Sequence, residues 1–433
     1  MTGFVPARRL AVSRRLSSGD LVPVGELAQN RQGVFFQYDS EYLLALPSLS
    51  PFMLPFNRSL HRAPAQPHQG LHGVFADSLP DGWGLRLMDR VFRRRGISPS
   101  ELSAMDRLAY TGSRGLGALE YGPDSDFAQV SGPGEDVDLA ELGEQAQALF
   151  DDESRDVLPS LAFAGSSGGM RPKAQVYLPA GGSLAGATIR EGPGLEPWLV
   201  KFTSASLPLG HEEGLCEAAY LRMAEKAGIE VPEWRLIPMS KSHRRSSAAA
   251  WLAVKRFDCS PEGGRLHMHS LCGLLDADFR APSMDYEDLI KASQTLCRSS
   301  AVGHSLFVRA MFNLFAVNQD DHTKNWAFLQ DDAGNWRPSP CYDVTFSPSP
   351  QGEHSTAFLG HGAAPPLQAV QQMAQQANFS SWGRAVEVVE RVVEAVGQWQ
   401  AIAADIGVSK DTQRLVGRRL NAAYGDNRAL LCG

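Results

Sequence analysis

The chain has 433 residues, 43% of them hydrophobic, which is enough to bury the cores of two or three domains. A formal net charge of −7 argues against a protein that binds nucleic acid by bulk electrostatics. The six cysteines form no Cys-x-x-Cys pair, which excludes a zinc ribbon and argues against a disulfide scaffold. The sequence has neither a signal-peptide core nor the about 20 apolar residues of a membrane span, so we expect a cytoplasmic protein without membrane contact.

The beginning of the chain has a pattern typical of β structure. Three apolar runs, separated by turn residues, predict strands over 10–12, 21–27 and 34–38. Further on, Pro80-Asp81-Gly82 fits either a turn or the entry to a helix over 85–95. Residues 122–138 are rich in Gly, Pro, Asp and Ser, and we therefore expect residues 1–125 to form an N-terminal subdomain.

The middle of the chain mixes strands and helices. Its patterning predicts one helix over 139–150 and an amphipathic helix over 212–227, which Gly228 would end. Strands are predicted over three further runs: 174–178, 198–202 and 251–257. From Ser270 onward the pattern is mostly helical, with one hairpin. We expect residues 126–258 to form a mixed α/β lobe and residues 259–433 a mainly helical lobe.

The richest cluster of polar side chains follows an apolar helix predicted over 306–317. Asp320 and Asn325 stand in the Asp-x-x-x-x-Asn spacing of a kinase catalytic loop, in which the Asp accepts the proton of the substrate hydroxyl and the Asn holds magnesium. A hairpin with its turn at 331–335 follows, and then Asp343, where a kinase has its second magnesium carboxylate. The ordered series of helix, acid, amide, hairpin and acid predicts phosphoryl transfer.

Other polar residues near this cluster have simpler interpretations. Because the spacing to Asn325 favours Asp320 as the base, we expect Asp321 to face solvent or to cap the turn. His267 and His269 have no third ligand nearby in the sequence, so we expect solvent-facing side chains rather than a metal site.

Lys201 lies within an apolar strand, where it either points to solvent or is held by a partner, since a buried unpaired ammonium is costly. The next helix offers Glu213 and Glu217, four residues apart and thus on one face. A strand lysine followed by a helix glutamate matches the pair that orients ATP phosphates in kinases. The stretch 165–173 is either a flexible surface loop or a cradle for phosphate, and Ser166 and Ser167 would then lie near a nucleotide.

Four segments in this order resemble the HipA family of bacterial serine/threonine kinases, the toxins of HipBA-type toxin–antitoxin pairs. Residues 75–86 resemble the family's Leu-Pro-Glu-Gly segment, with Asp81 in place of Glu. Residues 166–173 resemble its Ser-Gly-Gly-x-x-x-Lys phosphate loop, and Leu199-Val200-Lys201 its nucleotide lysine. Asp320-Asp321-His322-x-Lys324-Asn325, followed by Tyr342-Asp343, resembles its catalytic signature. The resemblance runs from about Leu10 to Pro348, and the tail beyond has no pattern that we can place.

The resemblance implies an α+β, two-lobed fold like that of phosphatidylinositol kinases, with a mixed N-lobe, a mainly α-helical C-lobe and a small β-rich N-terminal subdomain. It implies that Asp320 is the base and that Asn325 and Asp343 bind Mg²⁺. Glu217 would support Lys201, and Ser166 or Ser167 would be the autophosphorylated serine. The implied ATP contacts are Gly168, Gly169, Met170, Arg171, Pro172, Lys173, Lys201, Lys255, Arg256, Phe257, His322, Thr323, Lys324, Asn325, Tyr342 and Asp343.

The function so implied is that of a Mg-ATP-dependent serine/threonine protein kinase. The resemblance further implies a HipB-like helix-turn-helix antitoxin as partner, DNA contact only through that partner, and a protein of translation as substrate, a tRNA synthetase being one family example. Two alternatives stay open: a DNA-binding corepressor with vestigial catalysis, and a small-molecule kinase.

Overall fold

The computed structural model describes residues 4–125, 136–153, 159–164, 168–181, 186–239, 248–281 and 284–432. Within these ranges, none of the helices is both long and apolar enough to cross a membrane. Their cysteines are all free thiols, as the sequence predicts.

The N-terminal subdomain is built on an antiparallel sheet. Its strands are β1 (Arg9–Arg15), β2 (Leu21–Asn30), β3 (Gly33–Tyr38), β4 (His61–Arg62) and β5 (Leu119–Gly122), in the order β4-β3-β2-β1-β5. Its helices are α1 (Ser40–Ala45), α2 (Gly73–Ala76), α3 (Gly82–Arg94) and α4 (Ala104–Thr111). Leu10 and Val12 alternate with exposed neighbours in β1 and lie in the core, as a half-buried strand requires. Because α3 begins at Gly82, Pro80-Asp81-Gly82 is a helix entry.

The N-lobe is a four-stranded antiparallel sheet with one long helix. It contains α5 (Leu139–Phe150), α6 (Pro159–Ala164), β6 (Lys173–Pro179), β7 (Leu195–Lys201), α7 (Glu213–Lys226), β8 (Trp234–Pro238) and β9 (Ala250–Lys255), with the strand order β6-β7-β9-β8. Residues 256 and 257, predicted as strand, lie beyond the end of β9. Lys201 is the last residue of β7 and faces α7, which places a cation where the sheet meets the rest of the molecule.

The C-lobe is mainly helical. Its helices are α8 (Leu271–Leu274), α9 (Tyr286–Cys297), α10 (Ala301–Ala316), α11 (Leu367–Gln376), α12 (Trp382–Gly397), α13 (Trp399–Ile406) and α14 (Lys410–Asn427). Its short strands are β10 (His267–Ser270), β11 (Met284–Asp285), β12 (Ala327–Gln330), β13 (Trp336–Pro338) and β14 (Thr356–Ala357). Helix α10 is buried from Arg309 to its last residue, Ala316, and the next residue, Val317, has a φ of 54° that turns the chain into the following loop. The hairpin β12–β13 turns over 331–335, as predicted.

Buried polar contacts fix the N-terminal subdomain to the two lobes. The side chain of Arg14 is fully buried and donates to Gln330 of β12 over 3.0 Å and to the Asp331 carbonyl. Asp258, just beyond β9, accepts the backbone N–H of Gly117 at 2.6 Å. The subdomain therefore forms part of the wall of the cleft between the lobes.

Candidate active site

A cavity of about 470 Å³ lies where the N-terminal subdomain, the N-lobe and the C-lobe meet. It brings together most of the predicted site residues in the described part of the chain: Gly168, Gly169, Met170, Arg171, Lys173, Lys201, Glu217, Lys255, Arg256, Phe257, Asp320, His322, Lys324, Asn325, Tyr342 and Asp343. Pro172 and Thr323 do not line it. Ser166 and Ser167 lie outside the described residues. Residues that are far apart in the sequence thus share one cavity.

Lys201 is held between two carboxylates. Its ammonium lies 2.5 Å from Glu217 Oε1 and also contacts Asp343, which comes from the C-lobe. Burial lowers the pKa of Lys201, but the charges of Asp343 and Glu217 outweigh burial and leave the pKa raised. Burial likewise raises the pKa of Asp343, yet Lys201 and Lys173 hold it well below its usual value. Both groups are therefore charged at neutral pH, and the ion pair joins the two lobes.

Glu213, the other candidate partner of Lys201, is paired differently. Its carboxylate lies 3.1 Å from the Arg171 guanidinium, which comes from the glycine loop, residues 168–172. The same guanidinium is 3.9 Å from Glu217. Helix α7 therefore presents two acids, one to the strand lysine and one to the loop arginine.

The glycine loop closes the cavity from the N-lobe side. The buried Lys173 ammonium donates to the Gly168 carbonyl at 2.8 Å, which folds the loop over the start of β6. Burial lowers the pKa of Lys173, although Asp343 and other acids partly oppose this. Met170 at the tip is 76% exposed. The loop and Lys173 thus bring cationic side chains and backbone groups to the cavity, a combination that suits phosphate.

Asp81 links the two sides of the cavity, and sequence reasoning did not give it this role. One carboxylate oxygen accepts the Gly169 N–H, and the other accepts the Lys324 ammonium at 2.6 Å. Burial raises the pKa of Asp81, but Lys324 and the Gly169 N–H outweigh burial and lower it. The next residues reinforce the link, since Trp83 donates its backbone N–H to the Gly169 carbonyl at 2.8 Å. The sequence offered one signal for a role of Asp81 at the site, because this residue lies within the motif 75–86.

Residues 318–325, here called loop 318–325, hold the candidate base. The Asp320 side chain is 65% exposed, and its Oδ1 lies 3.6 Å from His322 Nε2. Its backbone is fixed: the N–H donates to Ser347 Oγ at 3.3 Å, and the carbonyl accepts Asn325 Nδ2 at 2.7 Å. The carboxylate is thus free to meet a substrate while the chain beneath it is held.

Asn325 and Asp343 are suited to a magnesium ion. The amide of Asn325 donates to Asp320, so its oxygen acceptor stays available, and the Asp343 carboxylate is ionised. Carboxylate and amide oxygens are ligands that Mg²⁺ accepts, and it usually completes its coordination with water and substrate phosphates. Among the described residues, no cluster of three His, Cys, Asp or Glu side chains could hold a metal ion. Two protein oxygens beside this cavity fit magnesium bound together with a nucleotide.

An aromatic pair occupies the end of the cavity near β9. The rings of Phe257 and Tyr342 lie 5.6 Å apart, and the Tyr342 hydroxyl donates to the Lys324 carbonyl at 2.7 Å. Lys255 pairs with Glu196 at 2.7 Å, and the buried Arg256 pairs with Asp258 at 2.6 Å. Those two side chains are already engaged, so a ligand here would meet the aromatic rings and the backbone.

Three sequence interpretations are wrong. Asp321 does not face solvent: it is 1% exposed and accepts hydrogen bonds from Tyr286, His354 and the Ser355 N–H. His267 and His269 are also buried rather than solvent-facing. His267 contacts the Leu49 carbonyl at 2.8 Å, and His269 contacts an Asp77 oxygen at 2.6 Å. In each case the partner comes from a distant part of the chain, which a local pattern cannot reveal.

Comparisons with known proteins identify the family of the chain. The family model described as the HipA-like C-terminal domain matches residues 165–400, more than half of the chain. The chain belongs to the HipA family. The family's N-terminal domain model matches residues 19–122. A search of curated sequences gives no match.

Among solved structures, HipA in the complex of Shewanella oneidensis MR-1 HipA, HipB and operator DNA has a TM-score of 0.67 and 16% identity. The alignment covers 96% of each chain. At this identity the likeness shows a shared fold. This HipA-family chain therefore has the expected α+β, two-lobed, kinase-like architecture.

Proposed function

We propose that this HipA-family chain is a Mg-ATP-dependent serine/threonine protein kinase. The observation that carries the proposal is the ion pair of Lys201 with Glu217 and Asp343, which lies across one cavity from Asp320 and Asn325. In kinases a strand lysine paired with a helix glutamate orients the phosphates, and a carboxylate near the catalytic loop binds magnesium. The side chains found together in this cavity supply each of these parts.

In the proposed reaction, Asp320 accepts the proton of a serine or threonine hydroxyl on the substrate. The hydroxyl oxygen then bonds to the γ-phosphorus of ATP as the bond to the β,γ-bridging oxygen breaks, which gives a phosphoester and ADP. Lys201 and the glycine loop hold the phosphates, so the chain contributes mainly positioning and charge neutralisation. Asn325 and Asp343 would hold Mg²⁺, which neutralises charge on the phosphate oxygens.

We further propose a HipB-like helix-turn-helix antitoxin as the partner, with DNA contacted through it. The support is family membership, together with the fold shared with a HipA that was solved with HipB and operator DNA. The net charge of −7 favours an indirect contact with DNA. The substrate that we propose is a protein of translation, with a tRNA synthetase as the first to test, and autophosphorylation at Ser166 or Ser167 is part of the same proposal.

The test is incubation of the purified chain with labelled ATP and Mg²⁺, beside Asp320→Asn, followed by mapping of the phosphate. We expect label on a serine of the wild type and a loss of nearly all label in the variant, with equal melting temperatures. ATP binding without label in either protein, even with candidate substrates present, would favour a nucleotide-gated corepressor over a kinase. Label transferred only to small alcohols would favour the small-molecule kinase. Equal label in the variant would remove Asp320 from its role.

A further inference from the structure

Part of the tail that no sequence pattern explains contacts the loop that holds the candidate base. Residues 347–362, here called the tail loop, contact Gln319, Asp320 and Asp321 in succession. The Gln319 carbonyl accepts the Ser355 N–H at 3.1 Å, and its amide donates to the Gly352 carbonyl at 2.7 Å. The first half of loop 318–325, residues 318–321, therefore rests on the tail loop.

Asp321 is the centre of this contact. Its carboxylate is fully buried and accepts four donors: the Tyr286 hydroxyl at 2.5 Å, His354 Nδ1 at 2.8 Å, and the N–H groups of Ser355 and Thr356 at 2.8 and 3.2 Å. Three of these donors come from the tail loop. A buried carboxylate with every oxygen satisfied is fixed in position, because losing any donor leaves a desolvated charge underpaired.

The backbone of Asp321 is fixed as firmly as its side chain. Its carbonyl accepts the Thr356 hydroxyl at 2.6 Å and Trp326 Nε1 at 3.1 Å. The tail loop is in turn closed on itself, since the His354 N–H donates to the Gly362 carbonyl at 2.7 Å, and β14 pairs with β11. The position of Asp320, one residue before, is therefore set by groups more than 30 residues later in the sequence.

We propose that Asp321 and His354 are positioning residues for phosphoryl transfer, and that the tail loop is part of the active site. Neither residue lines the cavity. Their role is to hold the Asp320 backbone so that its exposed carboxylate points into the cavity. This inference rests on the proposed kinase activity for its kinetic consequence, but its structural part stands alone.

The test variants keep or remove the hydrogen bond that His354 donates to Asp321. Asn can place its Nδ2 near the position of His Nδ1, so His354→Asn keeps the hydrogen bond to Asp321, whereas His354→Ala removes it. His361 lies on the same loop, is exposed, and serves as the matched control as His361→Ala. A displacement of a catalytic group by about 1 Å can cost about 10²-fold in rate. We therefore expect kcat to fall by about that factor in His354→Ala.

The readout separates positioning from general damage. In His354→Ala we expect the ATP dissociation constant to stay within about twofold of wild type, because the cavity wall is intact, while kcat falls. His354→Asn should recover most of the rate, and His361→Ala should match wild type. Wild-type kcat in His354→Ala would overturn the proposal. So would a rate loss with weakened ATP binding and no recovery in His354→Asn, since that pattern reports a damaged fold.

Hydrogen exchange tests the same inference without catalysis. Amides of loop 318–325 should exchange faster in His354→Ala than in wild type, with unchanged exchange in β7 and α7. If the wild type transfers no phosphate, the proposed function fails, and faster exchange in this loop alone would still establish the positioning contact. Unchanged exchange in the loop would overturn it.

Discussion

The ion pair of Lys201 and Glu217 can be tested by a double-mutant cycle. The two side chains are 8% and 3% exposed, so solvent screens their interaction little. Lys201→Met would leave Glu217 with only the more distant Arg171, and we expect a cost of about 3 kcal/mol, the low end for breaking a buried pair. Glu217→Gln leaves Lys201 with Asp343 and should cost about 1–2 kcal/mol. The double variant should cost less than the sum, with a coupling of about 1.5–3 kcal/mol.

The assay is native-state hydrogen exchange at neutral pH, which gives local opening free energies for amides of β7 and α7 in a protein with several domains. The pKa of Lys201 is raised above its ordinary 10.5, so its contribution is fully present at neutral pH and is lost only as the pH rises through the raised value. The more exposed pair of Lys255 and Glu196 is the control and should couple by about 0–1 kcal/mol. Equal coupling in both cycles would refute the argument.

Further predictions concern the subdomain contacts. Asp81→Asn should weaken ATP binding about tenfold through loss of a charge-assisted hydrogen bond, with partial recovery in Asp81→Glu and wild-type affinity in Asp89→Asn, measured by calorimetry. Gly82→Ala would place a Cβ 2.6 Å from the Gly169 carbonyl oxygen, so we expect it to weaken ATP binding. Gly70→Ala is the control and should weaken binding less, because Gly70 also has a positive φ but a Cβ there would meet nothing within 4 Å. Burial raises the pKa of Asp258, but Arg256 and its neighbours outweigh burial and lower it. The ionised Asp258 therefore stabilises the fold above its ordinary pKa of 3.8, and this contribution is lost as the pH falls through the lowered pKa. Between about pH 5 and pH 3, the melting temperature of Asp258→Asn should therefore fall less steeply than that of the wild type. Equal slopes would contradict this assignment.

The sequence predicts those parts of the fold that local patterning controls. Helix α5 has the predicted bounds, and α7 differs from its prediction by one residue at each end. The strand lysine and the two helix acids were found because a spacing of four places both acids on one face. Which acid pairs with Lys201 depends on Arg171, which takes Glu213, and the sequence could not show that contact.

Buried polar residues mark the limit of sequence reasoning. Asp and His side chains are usually exposed, because burying them costs free energy unless they form hydrogen bonds. The hydrogen-bonding partners of Asp321 and His269 come from other parts of the chain. For His269 these partners are Asp77 and Ser50, which lie 192 and 219 residues away in the sequence. Asp81 is a similar case, because its partner Lys324 lies 243 residues away in the sequence.

The contact between Asp81 and Lys324 also has a consequence for biosynthesis. Domains near the N-terminus generally fold first while the chain is being made, at about 5–20 residues per second. The N-terminal sheet can therefore form early, but the cavity lacks a wall until loop 318–325 has emerged. Asp321 then lacks three of its four donors until residues 354–356 follow. A nascent chain that is still shorter than this has no assembled cleft. We therefore expect any activity of the cleft to begin only after residues 354–356 have been synthesised and have reached Asp321.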